Sequence, residues 1–192
     1  MIQSEEIEDI DFKSVQIEVS DVWHRIYSYV KEGDLEKVKE EYESFIKTVN
    51  IFEEEILQQI ELYLHVITGM CAKYEYIDIL EWLNSLSYFE IDSFQLFIVA
   101  SELGNIKIIE WGIQNEFEYL PQHILHTIQN GQVDILNYLE ETLEEEDVTV
   151  LYSELFIKNA IIHKQINIMN WYRDRGVPID TDDYNNDDKK KE

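Results

Sequence analysis

Polar and apolar positions along the chain fall into one recurring frame. In the run from Ala100 to Trp111 a small residue is followed four positions later by Gly104 and then by a polar residue. Apolar residues come next at Ile106, Ile108 and Ile109, and an aromatic at Trp111. The run from Thr127 to Tyr138 repeats this order around Gly131. Cys71 to Trp82 and Ala160 to Trp171 repeat it with Glu75 and Lys164 in place of the glycine, and Tyr29 to Val38 is a weaker copy around Gly33. The turn positions 33, 75, 104, 131 and 164 are separated by 42, 29, 27 and 33 residues, lengths that suit stacked helix-turn-helix units.

Each position in the frame has a physical reason. A glycine at the turn adopts positive φ, which ends one helix and lets the next begin at once. The small residue one helical turn earlier sits where two helices touch. The apolar residues after the turn share one face of the second helix, and a single helix pair cannot cover that face, so neighbouring pairs must stack. Helix starts agree with this reading. Asp92 or Ser93 caps the helix running toward Gly104, and Pro121 suits a first helical position before His123. Ser20 or Asp21 is expected to cap the helix carrying Trp23, Ile26 and Val30. Asn50 is expected to start a long helix over roughly residues 51 to 73, with Ile56, Ile60, Leu64 and Ile67 in one stripe.

Composition sharpens the class. The chain has 192 residues, of which 45% are hydrophobic, enough for a sizeable core in one domain. Only 6 glycines and 2 prolines are present, which favours helices with short connections over a turn-rich β-sandwich. The formal net charge of −26 repels phosphate backbones and anionic lipid heads, so direct nucleic-acid and membrane binding are disfavoured and basic partners are attracted. Cys71 is the single cysteine, so no intramolecular disulfide forms, and a reducing, intracellular and cytoplasmic address is expected. No apolar run is long enough for a transmembrane helix, and the acidic start, Met1 to Glu6, lacks the basic region of a secretory signal. With 27 isoleucines and alanine only at Ala72, Ala100 and Ala160, the codon usage points to an A/T-rich gene.

The frame resembles ankyrin repeats, specifically the divergent repeats of large DNA viruses and some A/T-rich eukaryotes. Ala100 to Trp111 fits the family's inner-helix, turn and outer-helix core best. Trp171 to Asp180, with Gly176 at its turn, is similar to the family's repeat ending. The resemblance covers about residues 22 to 180. It implies an all-α solenoid of about four to five helix-turn-helix repeats. The chain departs from the family in lacking its Thr-Pro-Leu-His start, for which Leu120-Pro121-Gln122-His123 is the nearest match. The hairpin fingers between repeats are expected to be degenerate or absent. The residues by themselves fit other two-helix solenoids as well. The expected division is an acidic N-terminal arm or cap over residues 1–19, a repeat domain over 20–180 and a disordered polar tail over 181–192.

Candidate chemistry is sparse. His123 and His126, three apart on one helix, could share a metal ion, but no Cys/His cluster supplies further ligands, and surface or structural roles are expected. Cys71 occupies the small-residue slot of the frame, which points to packing rather than a nucleophile. Trp82, Trp111, Tyr138 and Trp171 share one repeat position and are expected in the core or between repeats. The acidic runs, such as Glu140 to Asp147, lack the order of a calcium loop, and no phosphate-binding loop, nucleophile elbow or metalloprotease motif occurs. No catalytic residue, metal or cofactor is therefore expected, and binding to another protein is the expected mode of action.

In ankyrin-like proteins the inner helices and inter-repeat loops line a concave binding face, so the resemblance implies such a face here. In this frame the last two residues before each turn approach it: Lys31 and Glu32, Lys73 and Tyr74, Glu102 and Leu103, Gln129 and Asn130, and Ile162 and His163. Tyr74, Leu103 and Ile162 stand out, because an apolar side chain at a solvent-facing position invites a partner. A viral source would make the partner a host protein. The competing expectation is an acidic mimic of nucleic acid that occupies a basic nucleic-acid-binding protein.

Overall fold

Residues 12–48, 54–86 and 90–179 are described in the computed structural model, and among them every regular element is helical, with no β-strand. They form α1 (Phe12–Glu32), α2 (Leu35–Thr48), α3 (Glu54–Tyr74), α4 (Ile77–Ser85), α5 (Ser93–Leu103) and α6 (Ile106–Gln114). There follow α7 (Pro121–Gln129), α8 (Val133–Thr142), the short α9 (Glu145–Val148), a 3-10 turn at Thr149–Tyr152, α10 (Glu154–Ile162) and α11 (Ile166–Asp174). The described residues divide into two compact units, those within 1–70 and 78–91 and those within 71–77 and 92–192.

All five positions read from the frame as turns lie in the left-handed region: Gly33 (φ 72°), Glu75 (59°), Gly104 (79°), Gly131 (72°) and Lys164 (54°). One backbone bond recurs at each. The residue after the turn donates its N–H to the carbonyl five positions back, in the pairs Asp34–Tyr29, Tyr76–Cys71, Asn105–Ala100, Gln132–Thr127 and Gln165–Ala160. This satisfies a carbonyl that the helix end would otherwise leave open, and it reverses the chain within two residues. Glu75 and Lys164 reach the same geometry without glycine, at the cost of Cβ crowding. Of the five residues whose carbonyls accept, Cys71, Ala100, Thr127 and Ala160 are fully buried and Tyr29 is half-buried.

In the first unit, α1 packs on α2, and the core is aromatic. The Trp23 ring stacks on Tyr63 with centroids 5.5 Å apart and meets Tyr42 and Phe45 edge-on. Tyr42 in turn meets Trp82 edge-on at 5.3 Å. Ile56, Ile60, Leu64 and Ile67 form the buried stripe expected of α3. The expected cap at Ser20 or Asp21 is corrected. α1 runs unbroken from Phe12, and both residues lie inside it. No glycine or proline interrupts residues 12–21, and the Ser20 carbonyl accepts from His24 Nδ1 one turn on. Of the segment read as an arm or cap, residues 12–19 are thus helical. Residues 1–11, Asn50 and the tail 181–192 lie outside the described residues.

In the second unit the helices pair as α5 with α6, α7 with α8, and α10 with α11. Neighbouring pairs pack first helix on first helix, α5 on α7 and α7 on α10, and second on second, α6 on α8 and α8 on α11. The frame explains the burial. Ile108, Ile109, Ile135, Leu136 and Ile168, four or five positions after their turns, are fully buried. α5 begins where the Asp92 side chain accepts the Gln95 N–H, and α7 begins at Pro121. The acidic stretch after α8 forms α9 and the 3-10 turn instead of a direct link, which accounts for the longer spacing between turns 131 and 164.

Candidate functional site

The turns of the second unit are tied together by side-chain amides. Asn105, directly after Glu75's successor turn at Gly104, donates from Nδ2 to the carbonyls of Ala72 (2.6 Å) and Lys73 (3.2 Å). Gln132, after Gly131, donates from Nε2 to Glu102 O at 2.9 Å. Gln165, after Lys164, donates from Nε2 to Gln129 O, and Asn167 adds a bond from Nδ2 to Gly131 O at 2.5 Å. Within the second unit, the start of each second helix therefore caps carbonyls at the end of an earlier first helix or in the turn after it. Lys107 reaches back similarly and pairs with Glu75 at 3.0 Å.

The glycines at 104 and 131 serve this ladder as well as the turn. A Cβ built on Gly104 would stand 2.5 Å from Gln132 Oε1, and one on Gly131 would stand 2.7 Å from Gln165 Oε1. Where the reaching residue is the shorter Asn105, the turn residue is Glu75.

The ladder sets Lys73, Glu102 and Gln129 in succession, because each offers a carbonyl to the next link. Tyr74 follows Lys73, Leu103 follows Glu102, and Ile162 stands two residues before the turn at Lys164. Tyr74 is 42% exposed, Leu103 49% and Ile162 58%. Tyr74 stacks on Tyr76 at 5.7 Å and has the Lys73 ammonium 5.2 Å from its ring centre, so its ring is steadied without being covered. Glu102 Oε1 lies 3.1 Å from His126 Nδ1, Asn130 Nδ2 donates to His126 O at 2.9 Å, and His163 is exposed. Lys31 and Glu32, also exposed, belong to the first unit. Reading the frame did not single out Phe94 (49% exposed) and Leu155 (60%), near the starts of α5 and α10. The available signal was that these two helices are apolar on nearly every side, more than a one-sided core contact requires.

The two histidines on α7 differ in role. His123 is fully buried with Phe94, Phe97 and Tyr119 around its ring at centroid distances of 5.1 to 5.3 Å. Its Nδ1 accepts the Leu120 N–H at 2.9 Å and so closes the start of α7. Burial, with a smaller contribution from His126, pulls its pKa down to about 4, so it is neutral at pH 7. The Tyr119 hydroxyl sits between Ser101 Oγ (2.5 Å) and Thr127 Oγ1 (2.7 Å), and burial pushes its pKa up to about 12. The three hydroxyls satisfy one another between α5 and α7, whereas the buried His123 Nε2 beside them has no hydrogen-bond partner among the described residues.

A second polar cluster closes the last pair. Arg175 stacks on Trp171 at 4.0 Å, reaches both carboxylate oxygens of Glu140, and donates to Asn137 Oδ1 at 3.1 Å. Trp171 Nε1 donates to the same Asn137 oxygen at 2.7 Å, and Trp171 stacks on Tyr152 at 5.7 Å. The Arg175 guanidinium holds the Glu140 carboxyl below its usual range. Trp111 and Trp171 are buried, and Trp82 and Tyr138 are half-buried. Among the described residues no group of three or more histidine, cysteine or acidic side chains could hold a metal ion, and no helix is long and apolar enough to cross a membrane. No family model, curated protein or solved structure matches the chain.

Proposed function

We propose that the chain is a protein-interaction module built from ankyrin-like helix pairs, and that it binds another protein through the exposed ends of its first helices. The observation that carries this reading is the placement of Tyr74, Leu103 and Ile162, each in the last two residues before a turn of the frame and each exposed. Large apolar side chains at solvent-facing positions cost nothing to desolvate when a partner covers them, and rigid presentation lowers the entropy lost on binding. The amide ladder supports the reading because it fixes successive turns against one another. The side-by-side packing of α5, α7 and α10 supports the repeat architecture.

A second reading is favoured by charge. With 41 acidic against 15 basic residues, the chain carries a formal net charge of −26. Such a surface suits an acidic mimic of nucleic acid, whose binding falls steeply with salt. One experiment separates the two. Wild type and a Tyr74→Ala/Leu103→Ala/Ile162→Ala variant of equal helicity are used to capture partners at low and high salt. A partner held at high salt and lost with the variant supports the interaction module. Basic nucleic-acid-binding proteins lost at high salt and indifferent to the variant would overturn it in favour of the mimic.

A further inference from the structure

A cleft in the second unit lies away from the turn-end residues just described. It is formed where the α6–α7 connection meets the stretch after α8, and it encloses about 430 Å³. That is far larger than a packing void and within the range of ligand-binding clefts, roughly 300–1,000 Å³. Ile113, Ile124, Leu143 and Val150 contribute apolar surface, with Phe117 and Tyr119 beside them. Its walls are pinned by contacts made elsewhere. Phe117 meets Trp111 edge-on at 5.8 Å, and Tyr119 is fixed by Ser101 and Thr127. The 3-10 turn carrying Val150 is held by the Tyr172 hydroxyl, which donates to Leu151 O at 2.7 Å. Among the described residues, the charged ones that line it are Glu118 and Asp147, both exposed.

We propose that this cleft is a docking site for a basic segment of a partner protein. The segment inserts one large apolar side chain between Ile113, Ile124, Leu143 and Val150, and its flanking lysines or arginines meet Glu118 and Asp147. Charge complementarity selects this occupant. An acidic segment would face two carboxylates on a chain of net charge −26, and a purely polar cation would leave the apolar wall uncovered.

The test is a titration of the full chain followed by methyl NMR of isoleucine, leucine and valine. Three end-blocked peptides serve as probes: Gly-Lys-Phe-Lys-Gly, Gly-Lys-Ala-Lys-Gly and Gly-Glu-Phe-Glu-Gly. The first should shift the methyl signals of Ile113, Ile124 and Leu143, and the other two should not. Val150→Trp, which fills the cleft from a half-buried position, should abolish the shifts. Glu118→Gln/Asp147→Asn, which alters only exposed groups, should weaken binding by about threefold to tenfold. Equal shifts with the acidic peptide, persistence in Val150→Trp, or no shift with any peptide would overturn the proposal. Shifts confined to Leu103 and Ile162 would also overturn it, while leaving the turn-end surface intact as the binding site.

Discussion

Replacing Gly104 by alanine tests the ladder and the turn together. At φ 79° an alanine Cβ crowds the backbone, which costs about 1–2 kcal/mol. The same Cβ would stand 2.5 Å from Gln132 Oε1, the far end of a flexible side chain. The side chain must therefore move and release its bond to Glu102 O, worth about 0.5–1.5 kcal/mol. Gly104→Ala should thus destabilise the protein by roughly 2–3 kcal/mol in urea unfolding followed by circular dichroism. In a Gln132→Ala background only the backbone cost remains, so the same substitution should cost about 1 kcal/mol less. Identical costs in the two backgrounds would refute the claim that the glycine makes room for the amide. A neutral Gly104→Ala would refute the left-handed turn as well.

Four further outcomes follow from the same geometry. Lys164 holds φ 54° with a side chain present, so Lys164→Gly should raise stability by about 0.5–1 kcal/mol, measured by the same unfolding assay. His123 has a folded pKa of about 4 against an ordinary 6.5, so the unfolded chain binds its proton first. Its stabilising contribution is complete above pH 6.5 and is lost as pH falls toward 4. The difference in unfolding free energy between wild type and His123→Gln should shrink by about 2 kcal/mol from pH 7 to pH 5, and a constant difference would contradict the buried neutral ring. Arg175→Lys loses the fork onto Glu140 and the stack on Trp171 and should cost about 1 kcal/mol, whereas an unchanged unfolding midpoint would show the cluster to be ornamental. Raising sodium chloride from low to physiological strength should increase the unfolding midpoint, because the net charge of −26 repels itself, and a decrease would show that ion pairs dominate instead.

The turns were legible because their requirements are local. A small residue, a left-handed position and a shifted apolar face fall within twelve residues, so even Glu75 and Lys164 could be placed without a glycine. The exposure of Tyr74, Leu103 and Ile162 followed from the same phase. The start of α1 was not legible, since Ser20 and Asp21 are good caps by type and only the unbroken run before them decides that they lie mid-helix. The ladder was hidden for a different reason. Asn105, Gln132 and Gln165 look like ordinary polar residues after a turn, and their acceptors lie 30 to 36 positions earlier, a relation that exists only once the pairs are stacked. The cleft was hidden likewise, because the acidic stretch around Asp147 reads as solvated surface until α9 and the 3-10 turn fold it into a wall.

The amide ladder has a direction. The donors sit at the start of one pair's second helix, and the acceptors lie at the end of the preceding pair's first helix or, for Gly131, in the turn after it, so the contact works head to tail. A duplicated stretch such as residues 105–131, inserted in frame, would bring its own donor for the carbonyl before it and its own acceptor for the donor after it. Lengthening such a chain requires no new complementary pair to be invented, whereas excising residues 105–131 would set Gln132 over Glu75, whose Cβ fills the room that glycine leaves for the longer amide. A stack of this kind grows by copying, with the joint between members carried inside each copy.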